Sequence, residues 1–220
     1  MRLLIKFPTR NRPRKFLSTL IKYNNKMVDK NNIVVSIDND DETMKEPYVM
    51  EFLNELDHVT VCSGDNKTKI EAINADVPEE GWDILLLASD DMIPIINGFD
   101  TIIKEKMLEN FPDTDGVLWF NDGYQGNKLN TLSIIGKKYY DRFKYIYNPE
   151  YIACWCDNEF TKVGNLLNRQ KYFEETIIRH EHPDYGYGKM DYAHQMNVKY
   201  YYSDMDIFNR RQLNNFNLDL

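Results

Sequence analysis

The chain has 220 residues, enough to bury a substantial core and, at roughly 100 to 200 residues per domain, to make one domain or two small ones. Hydrophobic residues at 42% and charged ones at 28% fit a soluble globular protein rather than a disordered or fibrous one. With 35 acidic residues against 27 basic and a net charge of -8, tight sequence-independent DNA binding is disfavoured, because it relies on many lysine and arginine contacts to phosphate.

The opening "RLLIKF" is short and apolar and runs into "PTRNRP", so it predicts a strand followed by a polar loop. From Arg14 to Met27 the apolar residues Phe16, Leu17, Leu20 and Ile21 recur at helical spacing. "IVVSI" then stops at "DNDDE", as a strand buried on both faces would. Val49, Phe52, Leu53 and Leu56 predict a second helix, "VTVC" a third strand, Ile70 and Ile73 a third helix, and "DILLLA" a fourth strand. Strands alternating with helices imply a parallel sheet covered on both faces, and such sheets bind ligands at the carboxyl ends of their strands. The loops there, "PTRNRP", "DNDDE", "SGDNKTK" and "SDDMIP", are rich in charge.

The second half is less regular. Phe99, Ile102, Ile103 and Met107 predict a helix, "GVLWF" and "LSIIG" strands, Asn158 to Leu167 a helix, "TIIR" a strand, and the tail "DYAHQMNVKYYYSDMDIFNRRQ" partial helix. No linker divides the chain, so one domain over 1–220 is expected. A regular half (1–95), a less regular half (96–195) and a C-terminal tail (196–220) make it up. No run approaches the roughly 20 apolar residues of a transmembrane helix, and the start is too briefly apolar for a signal peptide, so a cytoplasmic location is expected. Cys62, Cys154 and Cys156 contain no CxxC pair and are expected to be free thiols.

Asp90 and Asp91 directly follow a buried strand, where hard carboxylate oxygens suit magnesium or manganese, which commonly bind through one or two carboxylates plus substrate phosphate. The plainer reading is that "SDD" caps the next helix. In "IIRHEHPDYG" an extended backbone would put His180 and His182 on one face, where an imidazole could join the metal shell. Asp157 and Glu159 in "CWCDNEF" lie at a helix start, as an N-cap or as a general base for a hydroxyl nucleophile. Lys67 and Lys69 open a helix, where they are solvated lysines or partners of a phosphate.

Taken in order, "PTRNRP", "IDNDD", "GDNKTKIEAIN", "LLLASDDMIP", "CDNEF" and "HEHPDYG" resemble the nucleotide-sugar glycosyltransferases of the GT-A fold, closest to the family 2 type, from Leu3 to about Tyr192. The resemblance implies a single-domain, Rossmann-like α/β fold with a mostly parallel central sheet flanked by helices, in which 1–95 would be the nucleotide-binding half, 96–195 the acceptor and catalytic half and 196–220 a C-terminal tail. It also implies transfer of a sugar from a nucleotide-diphosphate donor, a UDP-sugar favoured, to an acceptor hydroxyl, with inversion and dependence on Mn2+ or Mg2+. Thr9, Arg10, Arg12 and Asp38 would embrace the nucleoside. Asp90 would contact the ribose and Asp91 the metal, with His182 or His180 as the late histidine. Asp157 would be the base, with Glu159 as the alternative. "SDD" departs from the familiar Asp-x-Asp, which leaves Asp91 as the carboxylate on the metal. The acceptor, whether glycan, lipid-linked sugar, protein or nucleic acid, is not implied. Two rivals stand beside this reading. One is a phosphohydrolase of haloacid-dehalogenase-like type, whose acid pattern "DNDDET" misses by one residue, and the other is a non-catalytic nucleotide- or sugar-binding module.

Overall fold

A computed structural model describes residues 1–187 and 192–218. The first half alternates as its apolar runs predict: β1 (Leu3–Pro8), α1 (Pro13–Lys26), β2 (Asn32–Asp38), α2 (Pro47–Asn54), β3 (Val59–Gly64), α3 (Lys69–Asn74) and β4 (Ile84–Leu87). There follow β5 (Met92–Pro94), α4 (Phe99–Asn110), β6 (Val117–Phe120), β7 (Ile134–Gly136), α5 (Lys137–Tyr140), α6 (Cys156–Leu166), β8 (Gln170–Phe173), β9 (Ile178–His180), α7 (Tyr192–Val198) and α8 (Tyr201–Leu213).

Seven strands form one sheet in the order β3-β2-β1-β4-β7-β6-β8. β1 to β4 are mutually parallel, β7 runs against both β4 and β6, and β8 is parallel to β6. β6 therefore ends at the same edge as the first four strands. A second, two-stranded sheet pairs β5 with β9 in antiparallel register, Met92 opposite His180.

Alternation along the strands divides the core between the two faces. Leu3, Ile5, Phe7, Ile33 and Val35 pack with Phe16, Leu20 and Tyr23 of α1, Val49 and Leu53 of α2, and Phe99, Ile103 and Met107 of α4. Leu4, Val34, Leu85 and Leu87 pack with Ile70 and Ile73 of α3, Phe160 and Val163 of α6 and Phe208 of α8. Covering on both faces explains why these strands read as unbroken apolar runs. Lys6 is the exception inside β1. It is fully buried beside Ser36 and Asp76, and burial draws its ammonium down to about 8.

Several elements differ from the sequence reading. Ile21, expected in the buried stripe of α1, is 41% exposed. α6 begins at Cys156 rather than Asn158, with Trp155 as its N-cap. The "SDD" acids do not cap a helix, since β5 follows them and α4 starts only at Phe99. "TIIR" pairs with Met92–Pro94 in the small sheet, and neither β5 nor β8 was anticipated. No helix of the described residues is long and apolar enough to cross a membrane. Cys62, Cys154 and Cys156 are free thiols.

Gly136 marks the tightest approach. A Cβ there would sit 2.1 Å from the Thr114 carbonyl oxygen, although its φ of -73° is ordinary. Gly136→Ala is therefore expected to destabilise by about 1 to 3 kcal/mol through overpacking. Thermal denaturation checks this, and an unchanged midpoint would contradict it.

Candidate active site

The charged loops gather at one edge because their strands end there. Past β1, the Thr9 hydroxyl donates to Asp90 Oδ1 at 3.0 Å, and the Arg12 guanidinium lies 3.8 Å from Asp90 Oδ2. Arg10 donates from Nη1 to Asp38 Oδ2 and Asp40 Oδ1, both at 2.6 Å, and from Nη2 to Asp40 Oδ2 at 2.7 Å. Asn66, past β3, donates to Asp38 Oδ1 at 2.9 Å. The acids of "DNDDE" thus hold the first loop by its arginine and, through Asp41, by the Asn11 amide at 2.6 Å. Thr9, Arg10, Arg12, Asp38 and Asp90 form one continuous polar wall.

Asp90 is only 4% exposed. Burial raises its carboxyl to about 7, the Asp91 charge adds to this, and Arg12 and the Thr9 hydroxyl oppose it. Two adjacent acids at a buried strand end therefore favour an arriving cation, whose charge stabilises both carboxylates.

Asp91 is fixed by the small sheet. Its carbonyl accepts the Glu181 amide at 2.7 Å and its carboxylate is bonded by the Ser89 hydroxyl. The Met92–His180 register carries the end of β9 alongside, leaving His180 Nε2 3.8 Å from Asp91 Oδ1. On its other side His180 Nδ1 lies 3.9 Å from Asp122 Oδ2, and its amide donates to the Asp122 carbonyl at 2.9 Å. Asp122, just past β6, is 2% exposed. Burial alone would raise its carboxyl. The His180 imidazole, the Tyr124 and Gln125 amides and the Thr131 hydroxyl outweigh that and hold it at about 2. His182 sits beside His180 with ring centroids 5.5 Å apart, and its Nδ1 accepts the Asp184 amide at 3.2 Å in a 3₁₀ turn over Pro183–Tyr185. Between the two histidines, His180 is the one that faces Asp91.

Asp157 lies in the first turn of α6 and does not cap it. The preceding loop is held by Asp204 of α8, whose carboxylate accepts the Ile152, Ala153 and Cys154 amides at 3.1, 2.8 and 2.7 Å. Trp155, between them, has φ 61°, a left-handed conformation that costs a non-glycine residue about 1 to 3 kcal/mol and persists only where its surroundings enforce it. Burial raises the Asp157 carboxyl, against the pull of the Lys69 ammonium and of His180. Asp157, Lys69 and His180 therefore share one electrostatic neighbourhood. Lys67 is exposed, and its amide donates to Glu71 at 2.6 Å.

Glu159 is not brought to this cluster. It accepts the Tyr151 hydroxyl at 2.8 Å and the Arg211 guanidinium at 2.7 and 2.9 Å, an ion pair that ties α6 to α8. Removing one partner of such a buried pair costs about 3 to 5 kcal/mol. Glu159→Gln should therefore lower the thermal midpoint by about 6 °C or more, with ligand binding retained below it. A stable Glu159→Gln variant that has lost its chemistry would return the base role to Glu159.

The donors present suit a hard divalent cation in part. Asp91 and His180 are placed to hold one, but among the described residues no three His, Cys, Asp or Glu side chains are gathered into a ready-made cage. Oxygen ligands from a bound diphosphate would have to complete the shell, the usual arrangement for magnesium. Sequence reasoning missed Asp122 and Asn66. Asp122 carries the same signal that singled out Asp90, an acid two residues beyond a buried apolar run.

No protein-family model and no curated protein sequence matches the chain. Among solved structures it is similar to PcManGT, a mannosyltransferase from Pyrobaculum calidifontis in complex with GDP-Man and Mn2+, with 13% identity and a TM-score of 0.64 over 84% of this chain and 58% of that one. It is similar also to S. aureus TarS in complex with UDP, with 15% identity and a TM-score of 0.61 over 81% of this chain and 60% of that one. The chain thus spans less than two thirds of the length of these solved chains. The mostly parallel sheet flanked by helices and this likeness give the chain the GT-A fold.

Proposed function

We propose that this chain transfers a sugar, a hexose in the simplest case, from a nucleoside-diphosphate donor to an acceptor hydroxyl with inversion. A UDP-sugar is the favoured donor, and Mn2+ or Mg2+ assists. The observation that supports this reading is the placing of Asp90 and Asp91 just past β4 of a mostly parallel sheet, where such folds bind their ligands, with His180 Nε2 3.8 Å from Asp91. Thr9, Arg10, Arg12 and Asp38 hold the nucleoside, and Asp90 receives the ribose. Asp91 and His180 hold the cation, which supplies neutralisation of charge on the leaving diphosphate. Lys69 lies on the same side to assist.

Asp157 takes the proton of the acceptor hydroxyl. That oxygen forms its bond to the anomeric carbon as the bond from that carbon to the diphosphate breaks, and the electron pair leaves with the nucleoside diphosphate. Burial raises the Asp157 carboxyl, which makes its ionised form the stronger proton acceptor.

The test is release of nucleoside diphosphate from UDP-Glc, UDP-GlcNAc, UDP-Gal and GDP-Man, with manganese or with a chelator. Release from one donor, stimulated by manganese and lost on chelation, is expected. No release from any donor, together with hydrolysis of p-nitrophenyl phosphate, would overturn the proposal in favour of a phosphohydrolase.

A further inference from the structure

The loop after β6 does more than place Asp122. Tyr124 is 59% exposed, yet its ring is stacked on Tyr185 with centroids 3.5 Å apart and planes 18° from parallel. One ring face is therefore covered and the other is turned outward. The pair is rigidly seated. The Asp122 carboxylate accepts the Tyr124 amide at 2.9 Å, Gly123 makes the turn at φ 86°, and Gln125 Nε2 donates to the Tyr185 hydroxyl at 2.8 Å. Tyr185 in turn meets His180 edge-on at 5.7 Å and His182 at 5.6 Å. Its hydroxyl is raised by burial, against the Gln125 hydrogen bond, and further by the charges of Asp122 and Asp157. An outward aromatic face is thus fixed to the same framework that carries the base and the metal-binding histidine.

We propose that Tyr124, backed by Tyr185, is the platform on which the acceptor docks, and that the acceptor is a carbohydrate whose pyranose ring lies on the tyrosine face. This rests on the transferase reading above. The electron-rich face of an aromatic ring attracts the C–H edge of a sugar, whose hydroxyls project to the rim. Here the rim is polar, with Gln125 bonded to the Tyr185 hydroxyl and the exposed Asp184 next to Tyr185 in the chain. A lipid would want a continuous apolar surface, and a polyphosphate acceptor would meet the exposed Asp184 carboxylate. A neutral sugar meets neither objection.

The experiment is saturation-transfer NMR on the full chain with methyl glycosides of glucose, galactose, mannose and N-acetylglucosamine, the disaccharides cellobiose and chitobiose, and uridine and adenosine. Wild type, Tyr124→Ala and Tyr124→Phe are compared. Transfer to the ring C–H protons of at least one saccharide is expected, with affinity falling about tenfold or more in Tyr124→Ala and retained in Tyr124→Phe. Equal transfer in wild type and Tyr124→Ala, transfer to the nucleosides alone, or transfer to no saccharide would each overturn the platform. The thermal shift given by UDP with manganese is read on the same samples. Its absence in every variant counts against the transferase reading, while the NMR result alone decides for or against the platform.

Discussion

Asp157→Asn is expected to bind a nucleoside diphosphate as the wild type does and to transfer sugar at least about a hundredfold more slowly, since loss of a general base removes about 10² to 10⁴ in rate. The change keeps the size and the polar character of the side chain. The Asn158 amide, which the Asp157 Oδ1 accepts at 3.0 Å, keeps a carbonyl oxygen to bond. Burial opposes charge at this position, so the neutral amide carries no penalty there and the fold should stand. Single-turnover transfer and diphosphate affinity measured side by side check it. Unimpaired transfer would remove Asp157 from the chemistry.

Asp91→Asn is the complementary case. It substitutes a neutral amide for the carboxylate closest to His180, and it should abolish the manganese-dependent part of diphosphate binding with little change in the thermal midpoint of the free protein. Turnover should fall about a hundredfold or more, the size of effect produced by loss of one electrostatic contact to a developing charge. Measuring turnover across a manganese titration separates the two components. A variant with wild-type turnover and wild-type manganese response would place the cation elsewhere.

These expectations depend on positions that were unequally legible in the sequence. The first four strands could be read because burial on both faces leaves unbroken apolar runs, and each runs into a polar loop at the shared edge. Placing Asp90 and Asp91 there needed no long-range information. The company Asp91 keeps did need it. His180 reaches it only because Met92–Pro94 pairs with Ile178–His180, two three-residue strands far apart in the chain with no periodicity to betray them. For the same reason the sequence left His180 and His182 as equals, and one carries the strand register while the other holds a 3₁₀ turn.

The choice between Asp157 and Glu159 was illegible for a geometric reason. Two residues apart on a helix, side chains point about 200° away from each other, so only one of them can face a given cleft. Which one depends on the docking of α8, whose Arg211 takes Glu159 into the core and whose Asp204 sets the loop before α6. A tail that reads only as partly helical therefore decides which of the two acids is drawn into the core. Asp122 is the opposite case, since its signal is local: it stands two residues beyond the apolar run "GVLWF", at the carboxyl end of a strand that shares the edge of the first four.

The central claim is that the strand ends form a cation-assisted site for a nucleoside diphosphate, and its most direct test is a thermal-shift panel. UDP, GDP, CDP, TDP and ADP are each added with and without manganese to wild type and to Asp91→Asn. A ligand that binds only the folded state raises the midpoint, by about 2.7 kcal/mol of apparent stability at a hundredfold excess over its Kd. A shift with one diphosphate, UDP in the first instance, is expected, and it should require manganese and disappear in Asp91→Asn. A wild-type protein whose midpoint is unmoved by all five diphosphates, with or without manganese, would contradict it.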